Sequence, residues 1–395
     1  MNWKLVLAIL TCNILFMSSS YTMLIPFLPL YLTQELGVTP AQVNIWSGVV
    51  FSASFVVSAI MAPIWGRLAD RHGKRLMAIR SSFLLSLSYL LCGLVQSPEQ
   101  LVLVRLLQGF SSGLWPMDLA IMTSYAPSNR LGFSVGIMQG MLTAGGLIGP
   151  LLGGALATFF GMRISFFVGA AALFLNFLIF VFLIKEPPKQ ESKDVQGEKH
   201  SLLSMPLIRD LLFAGVIVQM VIMILQPILT VYIASLKGVG DNLVLISGLV
   251  FSLGGVAGAI ASPFWGILGQ KFGFQRTMMM ALFLASIAIS FQGMQTSLYG
   301  FAAMQFTGNL FFSGIYPSIN SILARHSPAD AKGRVYGFLF AAQQMGSVLG
   351  PILGGLVATF FGMRYVFLLA GVLLLLLFIF LYRHFRNFRA LREMV

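Results

Sequence analysis

Charge is scarce in this sequence: Asp, Glu, Lys and Arg together make up 9% of its 395 residues. A water-soluble domain of this size carries about a quarter, so most of this surface meets something other than water. Cysteine is almost absent too. Cys12 and Cys92 are the two, with no spacing that would hold a metal, and they read as small packing residues. No G-x-x-x-x-G-K-[ST] run occurs, which excludes a phosphate-cradling loop and ATP as the energy source. The four histidines, His72, His200, His326 and His384, all fall outside the apolar runs, so an imidazole relay is not expected. Chemistry inside a membrane would need paired carboxylates, a Ser–His pair or a histidine-rich metal site. The apolar runs offer one Asp and no His, and neither a cofactor nor an enzyme is expected.

Hydrophobic length is what the chain has instead. Apolar residues make up 57% of it, and the mean hydropathy is +0.88. Runs of about 20 apolar residues, enough to cross a hydrocarbon core of about 30 Å, recur throughout. Six lie in the first half, near 5–33, 45–66, 76–95, 99–125, 132–160 and 163–184. Six more lie near 208–235, 243–267, 276–296, 298–324, 334–361 and 363–382. The pattern predicts an all-α integral membrane protein with twelve transmembrane helices. The opening MNWKLVLAILTCNILF resembles a cleaved signal, but its apolar run outlasts a signal's length and Thr11 is large for the position before a lipoprotein cysteine. It is read as the first helix.

A net charge of +13 raises the question of nucleic acid. Position answers it. Of the 25 Lys and Arg residues, all but Arg105, Arg163, Lys237 and Arg364 are counted to a single side, in the connections between spans or near the two ends of the chain. That is the positive-inside bias, and it puts both termini in the cytoplasm of a bacterial cell with the plasma (inner) membrane as the location. The expected partners are the lipid bilayer, protons and a small amphipathic substrate, with no nucleic acid, and the chain is expected to be a monomer. Trp65 and Trp265 at inner span ends, and Trp46 at an outer one, read as interfacial anchors.

The chain also repeats itself. GPLLGGALATFFGMR from Gly149 returns as GPILGGLVATFFGMR from Gly350. Sliding the chain by 200 or 201 residues also aligns IPFLPLYL with QPILTVYI, SGVVFSASFVVSAIMAPIWGRLADRHG with SGLVFSLGGVAGAIASPFWGILGQKFG, and SGLWP with SGIYP. The register holds through long apolar stretches, so two parallel pseudo-symmetric six-helix bundles are expected, over 1–186 and 207–395. The polar KEPPKQESKDVQGEKHS between them makes 187–206 a cytoplasmic linker. Parallel repeats about an axis along the membrane normal are the architecture of a secondary transporter. Gly145, Gly149, Pro150, Gly153 and Gly154, with Gly350 and Pro351 in the second half, let helix backbones approach and bend. They are read either as tight packing or as hinges on which the halves pivot.

At these residues the sequence resembles the major facilitator superfamily, and within it the twelve-helix drug:proton antiporters of the MdtG-type multidrug exporters. The loop Gly66-Arg67-Leu68-Ala69-Asp70-Arg71-His72-Gly73-Lys74-Arg75 matches the superfamily signature between helices 2 and 3. Arg105-Leu106-Leu107-Gln108-Gly109 matches the helix 4 signature, and the run from Gly145 to Gly154 matches the helix 5 signature of antiporters. The resemblance implies the major facilitator fold and spans the chain.

Among twelve acidic residues, Asp118 alone lies well inside an apolar run. An ionisable group at membrane depth costs at least about 2.5–3.5 kcal/mol, which makes it a functional candidate. Its repeat partner is Ile319, so the fold does not demand an acid there. It is either the proton carrier or a hydrated carboxyl near the cytoplasmic mouth. Arg105 faces Phe306 in the repeat, and on one continuous helix it would stand about 20 Å from Asp118; the resemblance gives it a part in proton handling.

Asp70 and Arg130 face Gln270 and Ala331 in the repeat, so both charges are missing together from the second half. The resemblance makes Gly66, Asp70, Arg71, Gly73 and Arg130 a cytoplasmic gate. It also implies a cavity lined by helices 1, 4, 7 and 10. The first half supplies Tyr21, Gln108 and Trp115. The second supplies Gln219, Gln226, Asn309, Phe312, Tyr316 and Asn320. Amides and aromatic faces suit amphipathic or apolar cargo, although each of these residues is equally at home in packing. The expected function is proton-coupled multidrug efflux by alternating access; the alternative is an exporter or flippase of one endogenous metabolite or lipid.

Overall fold

The computed structural model describes residues 1–127, 130–186, 205–236, 242–327 and 332–392. The side chains of Asp70, Gly132, residues 332–334 and residues 386–392 lie outside that description, as does 187–204 of the expected linker. The chain divides into two compact units, Met1–Lys193 with Gly240–Ser252, and Asp194–Val239 with Leu253–Val395. Each is described by itself.

The first unit contains α1 (Trp3–Met23), α2 (Leu28–Gln34), α3 (Val43–His72), α4 (Lys74–Leu94), α5 (Pro98–Phe110), α6 (Leu114–Tyr125), α7 (Leu131–Phe160) and α8 (Met162–Phe182). After it come α9 (Pro206–Ala234), α10 (Leu243–Phe272), α11 (Phe274–Gln292), α12 (Leu298–Phe312), α13 (Ile315–His326), α14 (Lys332–Phe360) and α15 (Met363–Arg392). Ten of the described helices are long and apolar enough to cross a membrane: α1, α3, α4, α7 to α11, α14 and α15.

The remaining two crossings are broken, where the sequence predicted continuous spans. The span expected over 99–125 is α5 and α6, of 13 and 12 residues; that over 298–324 is α12 and α13, of 15 and 12 residues. Together each pair rises about 37–41 Å, enough for a twelfth-part share of a twelve-helix fold. The cause is local chemistry. SGLWP and SGIYP place a proline third in α6 and third in α13, where the first turn's N–H groups have no intrahelical acceptor and none is lost. Gly113, just before α6, has φ 112°, a value only glycine adopts readily.

A third break is asymmetric. Pro26 and Pro29 separate α1 from α2, with Pro29 in the first turn of α2. In the repeat, Pro29 becomes Thr230, and α9 runs unbroken through Pro227. Two lost donors in one turn end a helix, whereas one is absorbed as a bend.

Equivalent bonds recur in the two units. Tyr31 donates to Cys92 O at 2.9 Å, and Tyr232 donates to Gly293 O at 2.8 Å. Phe166 lies 5.0 Å from the Tyr31 ring, and Phe367 lies 5.0 Å from that of Tyr232. Ser97 caps α5 and Ser297 caps α12 through matching side-chain bonds. The repeated Phe159-Phe160 and Phe360-Phe361 pairs are exposed, which suits an apolar surface facing hydrocarbon.

The glycine stripes lie against the first helix of their own unit. A Cβ at Gly145 would stand 2.9 Å from Leu15 O, and one at Gly149 would stand 2.6 Å from Ser19 O; at Gly153 it would collide with Met23 O. On α14, a Cβ at Gly350 would meet Met220 O at 2.7 Å, and one at Gly354 would meet Ile224 O at 2.6 Å. Ser18 and Thr22 exploit this approach, donating to Leu142 O at 2.6 Å and to Gly145 O at 3.2 Å. Gly154 faces the other way. Its Cβ would stand 3.0 Å from Val244 O, in the segment that clusters with the same unit. Pro150 and Pro351 lie inside α7 and α14.

Candidate functional site

In the first unit, α5 carries Arg105 inward until it is 4% exposed. Its Nε donates to Val50 O at 3.2 Å and its Nη1 to Gln108 Oε1 at 2.7 Å. The guanidinium also faces the Phe51 ring at 5.6 Å. The sequence reading had put Arg105 in proton handling and Gln108 in the cavity, and the structure bonds the two. The cation is thus held by neutral acceptors and an aromatic face.

Asp118 is fully buried, and neither carboxyl oxygen has a hydrogen-bond partner. It lies on α6 among Leu114, Met117, Ile121 and Met122, which pack with Val6, Leu10 and Ile14 of α1. Trp115 packs at the margin of that cluster. The expected span is broken between α5 and α6, so Arg105 and Asp118 stand on two helices rather than on one rod. No ion pair joins them among the described residues. Tyr21 is 39% exposed on α1.

At the signature loop, Gly73 has φ 105°, and a Cβ there would lie 2.8 Å from the carboxyl carbon of Glu186. Glu186 accepts from the backbone N–H of Lys74 at 2.8 Å and of Arg75 at 3.1 Å, capping α4. The loop cations serve helix C-termini. Lys74 Nζ donates to Ala120 O and Ser124 Oγ on α6, and Arg75 donates to Phe180 O and Val181 O on α8. An acid at a helix start and cations at helix ends complement the partial charges there. The sequence reading missed Glu186, which is 112 residues from Lys74. Of the expected gate, Arg71 and Arg130 are exposed, and the Asp70 side chain lies outside the described residues. Gly66 has open space where a Cβ would be.

In the second unit the structure joins two of the expected cavity residues. Tyr316 donates to Gln219 Oε1 at 2.8 Å, and Gln219 Nε2 donates to Ser347 Oγ at 3.1 Å. Asn309 instead bonds to Gln305 O on its own helix and packs on Gly254. Phe312 lies at the edge of the core, and Asn320 is exposed. Gln226 makes no hydrogen bond to this cluster among the described residues.

Two of the three tryptophans read as interfacial anchors bond to backbone: Trp65 Nε1 donates to Phe110 O at 2.9 Å, and Trp265 Nε1 donates to Leu310 O at 2.8 Å. Each satisfies a carbonyl that a helix break would otherwise leave open. His384 lies on α15, two residues past the span expected over 363–382. His384 Nδ1 lies 3.3 Å from Asp210 Oδ2, and Asp210 is 2% exposed.

Comparison with known proteins agrees with this architecture. The profile of the Major Facilitator Superfamily matches residues 10–259 and 211–392. The chain is 35% identical over 375 residues to the multidrug resistance protein MdtG of Dickeya zeae (strain Ech586), covering 94% of this chain and 92% of that protein. It is 34% identical over 380 residues to the protein of the same name from Klebsiella pneumoniae (strain 342), with the same coverage. Among solved structures, a D-xylose-proton symporter superposes with a TM-score of 0.82 at 16% identity, covering 97% of this chain and 98% of that one. A bacterial homolog of the human lysosomal transporter Spinster gives 0.81 at 18% identity, covering 96% of each chain. These two show the fold. The matches run through both units, so the chain is a multi-pass membrane transporter rather than an enzyme, and it belongs to the Major Facilitator Superfamily.

Proposed function

We propose that this protein is a proton-coupled exporter of amphipathic or apolar small molecules, acting by alternating access as a monomer in the bacterial inner membrane. The observation that carries the reading is Asp118, a carboxyl with no exposure and no partner. A group so costly at membrane depth, at least about 2.5–3.5 kcal/mol, has a use for taking and releasing a proton. The name of the relatives, multidrug resistance protein, supports export of drugs over one dedicated metabolite.

Cargo is met by neutral groups: the Gln219–Tyr316–Ser347 cluster offers donors and acceptors without a fixed charge. Such a surface binds by area and polarisable faces, which tolerates varied cargo. The basic residues favour an orientation with both termini and the linker in the cytoplasm. Residues 1–186 and 207–395 act as the two bundles in this account, and Pro150 and Pro351 as bends in helices that flex during the cycle. Asp70 and Arg130, both absent from the repeat, act as a latch on the cytoplasmic side.

The test is dye efflux in inverted membrane vesicles, with and without an imposed pH gradient. Uptake of an amphipathic dye that appears with the gradient and collapses with a protonophore is the expected result. Uptake indifferent to the gradient would overturn proton coupling.

A further inference from the structure

We propose that Arg80 is the counter-charge of Asp118, receiving its carboxylate when the proton leaves. The proposal rests on Asp118 being the proton carrier and names the partner of its charged form. A carboxylate at membrane depth needs a positive partner, so the question is which cation can reach it.

Asp118 sits on α6, which packs against α1, α4 and α7. On α1 the only cation is Lys4, which is exposed. None lies on α7, whose N-cap residue Arg130 is exposed. Along α4 the cations are Lys74, Arg75 and Arg80. Lys74 is engaged with Ala120 O and Ser124 Oγ, and Arg75 with the last carbonyls of α8. The remaining titratable groups on α1 and α4, Cys12, Tyr21, Tyr89 and Cys92, carry no positive charge.

Of the three α4 cations, Arg80 alone has buried donors without a partner. Its Nη2 donates to Ser81 Oγ at 2.7 Å and to Ser112 O at 2.8 Å, while its buried Nε and Nη1 have no partner. The guanidinium is held flat over Trp65, 3.5 Å from the ring centre. One buried acid and one half-buried cation with two buried donor nitrogens stand on helices that pack together, and each lacks the partner that the other would supply.

The break in the fourth span provides the means to join them. Arg80 stands at the break itself: a Cβ on Gly113 would lie 3.8 Å from its Nη2, and Ser112 O, which it holds, belongs to the interrupted turn. Rotation of the short α6 about Gly113, where no Cβ restricts the backbone, would carry Asp118 around toward α4. Asp118 then gives its proton to water, and its carboxylate accepts from Nε and Nη1 while Arg80 keeps all its own protons. A fork of two parallel N–H groups suits a carboxylate.

The repeat supports this pairing. The second unit keeps the break and its tryptophan bond, yet Met280 stands where Arg80 would and Ile319 where Asp118 would. The tryptophan serves the break in both units, whereas the two charges occur only together.

Infrared difference spectroscopy of the full chain in membranes tests this without knowledge of the cargo. The Asp118 carboxyl band is the one that Asp118→Asn removes, and its disappearance with rising pH is followed in wild type, Arg80→Met and Arg80→Lys. Met is chosen because Met280 fills the equivalent place in the second unit; Arg80→Gln substitutes if Arg80→Met does not accumulate. Loss of the counter-charge should move the midpoint alkaline by about one to three pH units, and Arg80→Lys should restore most of the shift. An unchanged midpoint, or Lys no better than Met, would mean that Arg80 only braces Trp65 and the break. If Asp118→Asn removes no titrating band, the carrier reading fails and this pairing fails with it.

Discussion

Trp65 donates its indole N–H to the carbonyl of Phe110 at 2.9 Å, and 200 residues later Trp265 donates to Leu310 at 2.8 Å. In each unit a side chain from the second span therefore closes the break in the fourth. The bond makes a discontinuous helix tolerable in hydrocarbon, where an open carbonyl has no water to accept from.

Trp65→Phe and Trp265→Phe should each lower the thermal stability of the solubilised protein. Leaving a buried carbonyl unpaired costs about 1–3 kcal/mol, and the loss should be larger at Trp265, which is only 7% exposed. Melting temperatures equal to wild type in both variants would show that the breaks need no cap.

Gly73 and Gly273 are equivalent, with φ of 105° and 91°. Alanine strains both, at a cost of about 1 kcal/mol or more. At Gly73 the new methyl group also meets the Glu186 carboxylate, while nothing lies within 4 Å at Gly273. Gly73→Ala should therefore destabilise more, and Glu186→Ala should relieve the difference. Amide exchange at Lys74 and Arg75, which should quicken in Glu186→Ala, checks the cap directly.

On α7 the same substitution should have opposite consequences at neighbouring turns. Gly136 and Gly140 have open space for a Cβ, whereas Gly149 and Gly153 have the backbone of α1. Gly136→Ala and Gly140→Ala should be neutral or stabilising by about 0.5–1 kcal/mol, since alanine favours a helix. Gly149→Ala and Gly153→Ala should impair accumulation in the membrane. Equal tolerance at all four positions would contradict the close approach of α1 and α7.

The repeat made much of this architecture legible. An offset of 200 or 201 residues pairs Tyr31 with Tyr232, Phe166 with Phe367 and Ser97 with Ser297, and the structure gives each pair the same bond or contact. The breaks were less visible, because hydropathy is continuous across them. Their signal was nonetheless present in SGLWP and SGIYP, a glycine followed within three residues by a proline. Arg80 was counted among loop charges because it lies only seven residues beyond Gly73; α4 begins at Lys74 and carries it inward. Glu186 with Lys74, and Asp210 with His384, left no local trace, since helix packing alone brings such distant residues together. Asp118 was found by the opposite logic, as the one carboxyl where hydropathy forbids it.

The most direct test of the account is gradient-driven efflux by purified Asp118→Asn in liposomes, read beside cargo binding and energy-independent exchange of cargo for cargo. The amide keeps the shape and cannot release a proton. Binding and exchange should persist, while efflux driven by a pH gradient should fail. A variant that still couples efflux to the gradient at near wild-type rate would contradict the account and make Asp118 a structural polar residue.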